Sequence, residues 1–226
     1  MIAAMGGDKF LNYTSLNSEG RSGQFYNGRP TGEVIAFWGF YQYPDKDRTE
    51  LTPQRDVIEL YNGDKGWEMT YKGAHEFTAE ELAPTLAQRP YRLETVIRQW
   101  LKDPGAALFY EGSDIVEANP VDKVTIINGK NQSVTLMIDS NSHLLAKKLY
   151  ILRDAQGYRD EHADVYGNYH NVDGIATAYN VTHLQNGEIT RERFLRLVTY
   201  NQTFAENFFT PEGAQITKSG KNKNKK

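Results

Sequence analysis

The chain has 226 residues, of which 24% are charged, a formal net charge of −3 and no cysteine. The missing thiols exclude disulfides, thiol catalysis, cysteine-ligated metals and a lipid-modified N-terminal cysteine. Five of the 26 basic residues lie between Lys218 and Lys226; without them 21 basic residues face 29 acidic ones, an acidic body near −8 that argues against a nucleic-acid surface.

The length suits one domain over residues 1–216, followed by a disordered Lys-rich tail over 217–226. No run is long and apolar enough to span a membrane as a helix. Met1-Ile2-Ala3-Ala4-Met5 reads as the end of a helix stopped by Gly6-Gly7, with the rest of that helix, and any signal segment, expected upstream of Met1. Asn17 to Gly32 is rich in Gly, Ser and Asn, with Phe25 and Tyr26 its only large apolar residues, and is expected as a weak edge strand between loops. Glu33 to Tyr43 is a stronger strand, apolar on both faces. Pro44-Asp45-Lys46-Asp47 turns the chain, and Asp45 and Asp47 are expected in solvent beside that turn. Strands are expected over Arg48–Leu51, Asp56–Tyr61 and Trp67–Tyr71, the last two joined by the hairpin loop Asn62-Gly63-Asp64-Lys65-Gly66.

The period then lengthens toward four. Thr78-Ala79-Glu80-Glu81 is a capping box, Leu82 and Leu86 share a helix face, and Arg89-Pro90 breaks the helix. A second helix is expected from Tyr91 to Lys102, with Leu93, Val96, Ile97, Trp100 and Leu101 as its apolar stripe. Strands resume at Ala107–Tyr110, Ile115–Glu117, Val121–Asn128 and Ser133–Ile138. Four more runs, Leu145–Arg153, Tyr158–Tyr169, Ile175–Leu184 and Glu188–Tyr200, form an antiparallel meander punctuated by Gly/Asn/Asp turns such as Asp173-Gly174 and Asn186-Gly187. In the third run Thr177, Tyr179, Val181 and His183 share one face. In the fourth, simple alternation puts Phe194, Val198 and Tyr200 opposite Leu195 and Leu197. The total is about ten strands with two or three helices.

Catalytic signatures are absent: no nucleophile elbow, phosphate loop, zinc-protease helix or dinucleotide fingerprint occurs. The nearest approach to a metal set is Glu161, His162, Asp164, His170, Asp173 and His183, and the alternative is a polar strand face. Arg191, Glu192, Arg193 and Arg196 alternate along one strand and are expected in cross-strand ion pairs rather than at an anion site. Aromatic rings recur on nearly every strand. A sheet apolar on both faces with one small helical layer leaves apolar surface uncovered, and a groove or cavity for an apolar ligand is the economical outcome.

Several segments, taken in order, resemble the LolA-like group of periplasmic lipoprotein-sorting proteins. They are Ala4-Met5-Gly6-Gly7, then Phe37-Trp38 leading to Pro44-Asp45-Lys46-Asp47-Arg48, then Asn62-Gly63-Asp64-Lys65-Gly66-Trp67. Asp173-Gly174-Ile175, Val198-Thr199-Tyr200-Asn201 and Phe208-Phe209-Thr210-Pro211 complete the series. The resemblance implies a mainly β (α+β) fold: a strongly curved antiparallel sheet, an unclosed barrel, with two or three helices on the concave side. It implies a hydrophobic cavity for acyl chains of lipoproteins or lipids, a lid formed by the helices between Thr78 and Lys102, and a periplasmic location. In the family an arginine before the proline matching Pro44 latches the lid; this chain has Tyr43 there.

The resulting expectation is a non-enzymatic carrier without a cofactor. Its cavity candidates are Phe37, Trp38, Phe40, Tyr41, Trp67, Leu82, Leu86, Val96, Ile97 and Trp100, counted from both parities of the strands. Membrane-bound donor or acceptor proteins are its expected partners, and a monomer its expected state. The competing readings are a closed-core interaction module and a metal-dependent enzyme.

Overall fold

Turn chemistry sets the strand order. The computed structural model describes residues 1–153, 156–214 and 216, so the expected tail over 217–226 lies outside the described residues. Tight turns with positive φ at Gly63, at Asp173 and Gly174, and at Asn186 and Gly187 reverse the chain, so that consecutive strands pair. The first half contributes β1 (Ser15–Tyr26), the short β2 (Arg29–Pro30), β3 (Ile35–Gln42), β4 (Lys46–Leu51), β5 (Val57–Asn62), β6 (Lys65–Thr70) and β7 (Gly73–Glu76). The second half contributes β8 (Ala107–Val116), β9 (Asn119–Ile127), β10 (Ser133–Asp139), β11 (Leu145–Arg153), β12 (Arg159–Val172), β13 (Ile175–Gln185) and β14 (Glu188–Tyr200). These are the fourteen strands among the described residues. They form one antiparallel sheet ordered β7-β6-β5-β4-β3-β1-β14-β13-β12-β11-β10-β9-β8, with β2 attached to β1, and the edges β7 and β8 do not meet.

The sequence expectation is corrected at β1. It is not an edge strand but an interior one, paired on one side with β3 and on the other with β14, so it joins the two halves of the sheet. Its small residues are there because its neighbours approach closely. A Cβ on Gly20 would lie 2.1 Å from the carbonyl oxygen of Phe194. The register slips at that point: Glu19 faces Leu197 and Gly20 faces Leu195, which leaves Arg196 as an extra residue, a β-bulge. The bulge overturns the simple alternation expected for β14. Val198 and Tyr200 share a buried face with Leu195, whereas Phe194 and Leu197 are exposed on the other.

Helices cover part of one face, the inner face. The short α1 (Ile2–Met5) and α2 (Asp8–Asn12) place Met5 and Phe10 in one core with Ile175, Val198 and Tyr200. The helix α3 (Ala79–Gln88) starts at the expected capping box, the Thr78 hydroxyl accepting from the Glu81 amide while the Glu81 carboxylate accepts from the Thr78 amide. The expected second helix is shorter: α4 (Leu93–Arg98) lies between 3₁₀ turns over Arg89–Tyr91 and Trp100–Lys102. Val96, Ile97 and Trp100 pack directly against Ile126, Val134, Leu136 and Leu145 of β9 to β11.

The outer face of β3 to β6 is covered by the segment that follows β14. Phe204, Phe208 and Phe209 form a ring cluster with Phe40, and Ala214 and Ile216 pack on Ile58 and Leu60. Buried Arg48 anchors this strap: its Nε donates to Glu50 at 2.7 Å and its Nη1 to the carbonyls of Phe208 and Gly213 at 2.9 and 3.0 Å. Phe209 is only 1% exposed. Phe209→Ala is expected to remove about 3–5 kcal/mol of stability. Phe194→Ala, on an exposed side chain, is expected to cost under about 1 kcal/mol. Urea unfolding of both variants checks this, and equal losses would mean that the strap does not close the outer core.

Candidate functional site

Between the helices and the centre of the sheet the inner face is hollow. Strand alternation aims Leu16 and Ser18 of β1, Tyr41 of β3, Val181 of β13 and Leu195 of β14 into this space, and α4 contributes Leu93 from above. Together with Met5, Phe10, Tyr166, Tyr169 and Tyr200 they bound an apolar end of about 380 Å³. A second end of about 490 Å³ is polar and is lined by Asp47, Glu59, Arg89, Arg92, Lys148, Asp164, His183, Arg191 and Arg193, among others. Asp47, Arg92, Lys148, Asp164, His183 and Arg193 border both, so an apolar and a polar hollow adjoin across these shared side chains. Each volume falls within the roughly 300–1,000 Å³ common for small-molecule sites.

At the boundary Asp164 accepts from Lys148 Nζ at 2.7 Å and from His183 Nδ1 at 2.5 Å. Burial of Asp164 opposes its ionisation, but Lys148 and His183 outweigh burial and hold its carboxyl far below the usual carboxylate range. Burial pushes the His183 imidazole below its ordinary value; its hydrogen bond to Asp164 opposes this, and the nearby Arg191 charge adds to it. Asp164 is an acceptor-only carboxylate, so Nδ1 of His183 carries the proton of their hydrogen bond. Its Nε2 is closed off from solvent and has no partner among the described residues.

Arg191 and Arg193 differ from their sequence expectation. Only Arg196, at the bulge, closes the expected ion pair, with Glu19 at 2.6 Å on the outer face. Arg191 and Arg193 point inward, and neither closes a salt bridge among the described residues. The Nε atoms of both are sealed from solvent and unpartnered. Arg193 lies over the Phe37 ring, 5.0 Å from its centroid. Burial, and then the charge of Arg191, lowers the Arg193 guanidinium to about 9, and burial likewise lowers Arg191. Glu59 faces them from β5 without closing an ion pair; burial, and then Glu68, raise its pKa.

Arginines carried by the helical segment tie it to the sheet. Arg92 donates to Asp47 at 2.8 Å, so Asp47 is not the solvated turn residue expected from sequence. Arg89 donates to the Gly63 carbonyl. Arg98 donates to the carbonyls of Tyr13 and Phe10 at 2.7 and 3.1 Å and stacks on the Tyr43 ring, 4.6 Å from its centroid. Tyr43 also accepts from Gln99 at 2.9 Å.

The cavity candidates divide by strand parity. Phe37 and Tyr41 are on the inner face, and Tyr41 lines the hollow. Trp38, Phe40 and Trp67 are on the outer face, where Trp38 donates to Glu19 at 3.0 Å, Phe40 packs on Phe208 and Trp67 packs on the Leu60 cluster. Leu82 is buried close to Gly66, and Leu86 and Trp100 border a separate hollow of about 430 Å³ beside Pro44 and Gln132. Val96 and Ile97 are packed core. Leu16, Val181, Leu195, Arg191 and Arg193 line the site without being among the residues expected there from sequence. The period-two pattern of β13 places Val181 with His183, whereas the bulge hid Leu195, Arg193 and Arg191.

The residues considered for a metal separate into pairs. His162 meets Asp160 at 2.9 Å, His183 meets Asp164, and His170 meets Asn168 at 3.1 Å. No group of three ligand-type side chains that could hold a metal ion occurs among the described residues.

No protein-family model matches the sequence, and no curated protein matches it. Solved structures do. A DUF1329 family protein from Desulfovibrio piger superposes with a TM-score of 0.61 at 9% identity, covering 92% of this chain and 94% of that one. A putative outer membrane lipoprotein-sorting protein domain from Vibrio parahaemolyticus gives 0.56 at 11% identity, covering 93% and 96%. A LolA superfamily protein from Nitrosomonas europaea gives 0.52 at 11% identity, covering 88% and 90%. At these identities the likeness is one of fold, and the fold is LolA-like.

The folded-state pKa of His183 lies below its unfolded value of about 6.5. Between the two values the unfolded chain binds the extra proton, so this contribution to stability is complete above about 6.5 and is lost as pH falls toward the folded value. His183→Gln is expected to flatten the fall in unfolding free energy between about pH 7.5 and 5.5. Denaturant titrations at both pH values check this; an unchanged difference would show that His183 is not protonated more readily on unfolding.

Proposed function

We propose that this protein is a non-enzymatic carrier or binding protein that holds acyl chains of lipoproteins or lipids in the hollow between sheet and helices. The observation that carries the reading is the apolar end of that hollow, walled by Leu16, Leu93, Val181, Leu195 and aromatic rings instead of being filled by core packing. Each methylene moved there from water contributes about 0.8 kcal/mol, so a chain of modest length supplies affinity without specific polar contacts. The likeness of fold to a lipoprotein-sorting domain supports the same reading. On this reading the protein works in the periplasm, with membrane-bound donors or acceptors as partners. The arginines of the helical segment hold the cover in place; Tyr43 stands where the family resemblance implies an arginine before the proline, and Arg98 of the helical segment lies over its ring.

A second reading, a protein-interaction module, is favoured by one feature. The edge strand β8 exposes Leu108, Phe109, Tyr110 and Ile115 together with an unpaired edge.

Native mass spectrometry of gently purified protein, followed by organic extraction, separates the two. A discrete lipid-sized adduct released on denaturation is the expected result. In parallel, Val181→Trp should fill the apolar end and weaken binding of the uncharged dye Nile red about tenfold. Phe194→Ala, on the outer face, should leave it unchanged. A clean apo mass with no dye binding by the wild type would sink the carrier reading and leave the β8 module.

A further inference from the structure

The polar end of the hollow has a cationic excess that the fold does not use. Five basic residues, Arg89, Arg92, Lys148, Arg191 and Arg193, line it against the acids Asp47, Glu59 and Asp164. Two of those acids are committed, Asp47 to Arg92 and Asp164 to Lys148 and His183. Arg191 and Arg193 keep part of their surface open to the hollow, yet their Nε–H donors are unpartnered and shielded from solvent. A desolvated guanidinium with a free donor is costly unless an acceptor completes it. The planar donor fork of arginine matches the two oxygens of a carboxylate or phosphate. The Phe37 ring packs against the Arg193 guanidinium, 5.0 Å from its carbon to the ring centroid.

We propose that Arg193 and Arg191 bind the oxyanion headgroup of a single amphiphile whose acyl chain lies in the apolar end. The inference rests on the carrier reading and specifies the ligand: an acyl chain carrying a carboxylate or phosphate at one end, and not a neutral lipid. Leu195 and Arg193 are successive inward positions of β14, so the step from apolar wall to cationic wall takes one strand repeat. The headgroup and the first methylenes of one molecule span that distance. The Lys148 ammonium, 2.7 Å from Asp164, offsets the repulsion that this carboxylate would exert on the anion.

The test compares cis-parinaric acid with its methyl ester at about pH 8, where the free carboxyl is ionised. Both carry the same fluorescent chain and differ only in charge. The wild type is expected to prefer the acid by about tenfold or more. That preference should fall toward unity in Arg193→Met and survive in part in Arg193→Lys. Equal wild-type affinities for acid and ester would overturn the headgroup site while leaving the carrier reading intact. Binding of neither would overturn both. Inorganic phosphate has no chain, and displacement of the acid by phosphate at comparable concentration would show a free-anion site and overturn the amphiphile.

Discussion

An open sheet of this width has two faces to cover and little besides itself to cover them with. Alternation along each strand sends large side chains to both faces. The described helices and 3₁₀ turns are short. The chain divides the work. The strap after β14 seals the outer face of β3 to β6 with Phe204, Phe208 and Phe209, and α4 with the 3₁₀ turn after it seals the inner face of β9 to β11 with Val96, Ile97 and Trp100. The hollow lies over the centre of the inner face, where β1, β14, β13 and β12 run side by side and α4 reaches over with Leu93 and Glu94 without filling the space. Its position follows from which strands each cover occupies.

The contacts that hold the inner cover are mostly charge-assisted. Arg89 and Arg92 reach a carbonyl or carboxylate of the sheet layer, Arg98 reaches carbonyls of α2 and its cap, and Tyr13 donates to Glu94. Such bonds are directional and can break singly, whereas the packing of Val96 on β10 must be lost as a unit. A cover held in this way has a fixed position and separable attachments. Arg92 connects cover and cargo space most directly, since its Asp47 partner and its own side chain both line the hollow.

Much of this was legible in the sequence where the signal is local. Thr78 to Glu81 names its own cap, and Asp173-Gly174 and Asn186-Gly187 name their turns, because a positive φ selects those residues wherever the strands lie. The unclosed sheet with helices on one side followed from the resemblance to the LolA-like group, not from any local signal. The interior place of β1 was not legible. Ser18, Gly20 and Ser22 read as a weak edge, yet the smallness of Gly20 answers to the proximity of β14, a neighbour that follows these residues by more than 170 positions. Trp38, Phe40 and Trp67 read as cavity residues because ring size carries no information about face. What decides their face is the strap after β14, whose position no local pattern encodes.

The bulge at Arg196 shows how much of the site hangs on one residue. Val198 and Tyr200 belong to the inner core, and strict alternation from them would turn Arg196, Phe194 and Glu192 inward and Leu195, Arg193 and Arg191 outward. That version of β14 would put Glu192 beside Asp164 and Glu59, where like charges without solvent repel strongly. It would also aim Arg193 at open water. The extra residue reverses both outcomes. It turns Leu195 into the apolar wall, sets Arg193 and Arg191 behind it, and keeps Arg196 outside for Glu19. The two chemistries of the hollow are therefore a consequence of register as much as of composition. A burial cost accepted at two adjacent inward arginines is economical only if something that enters the hollow offsets it, and whatever binds the folded chain there also stabilises it by mass action.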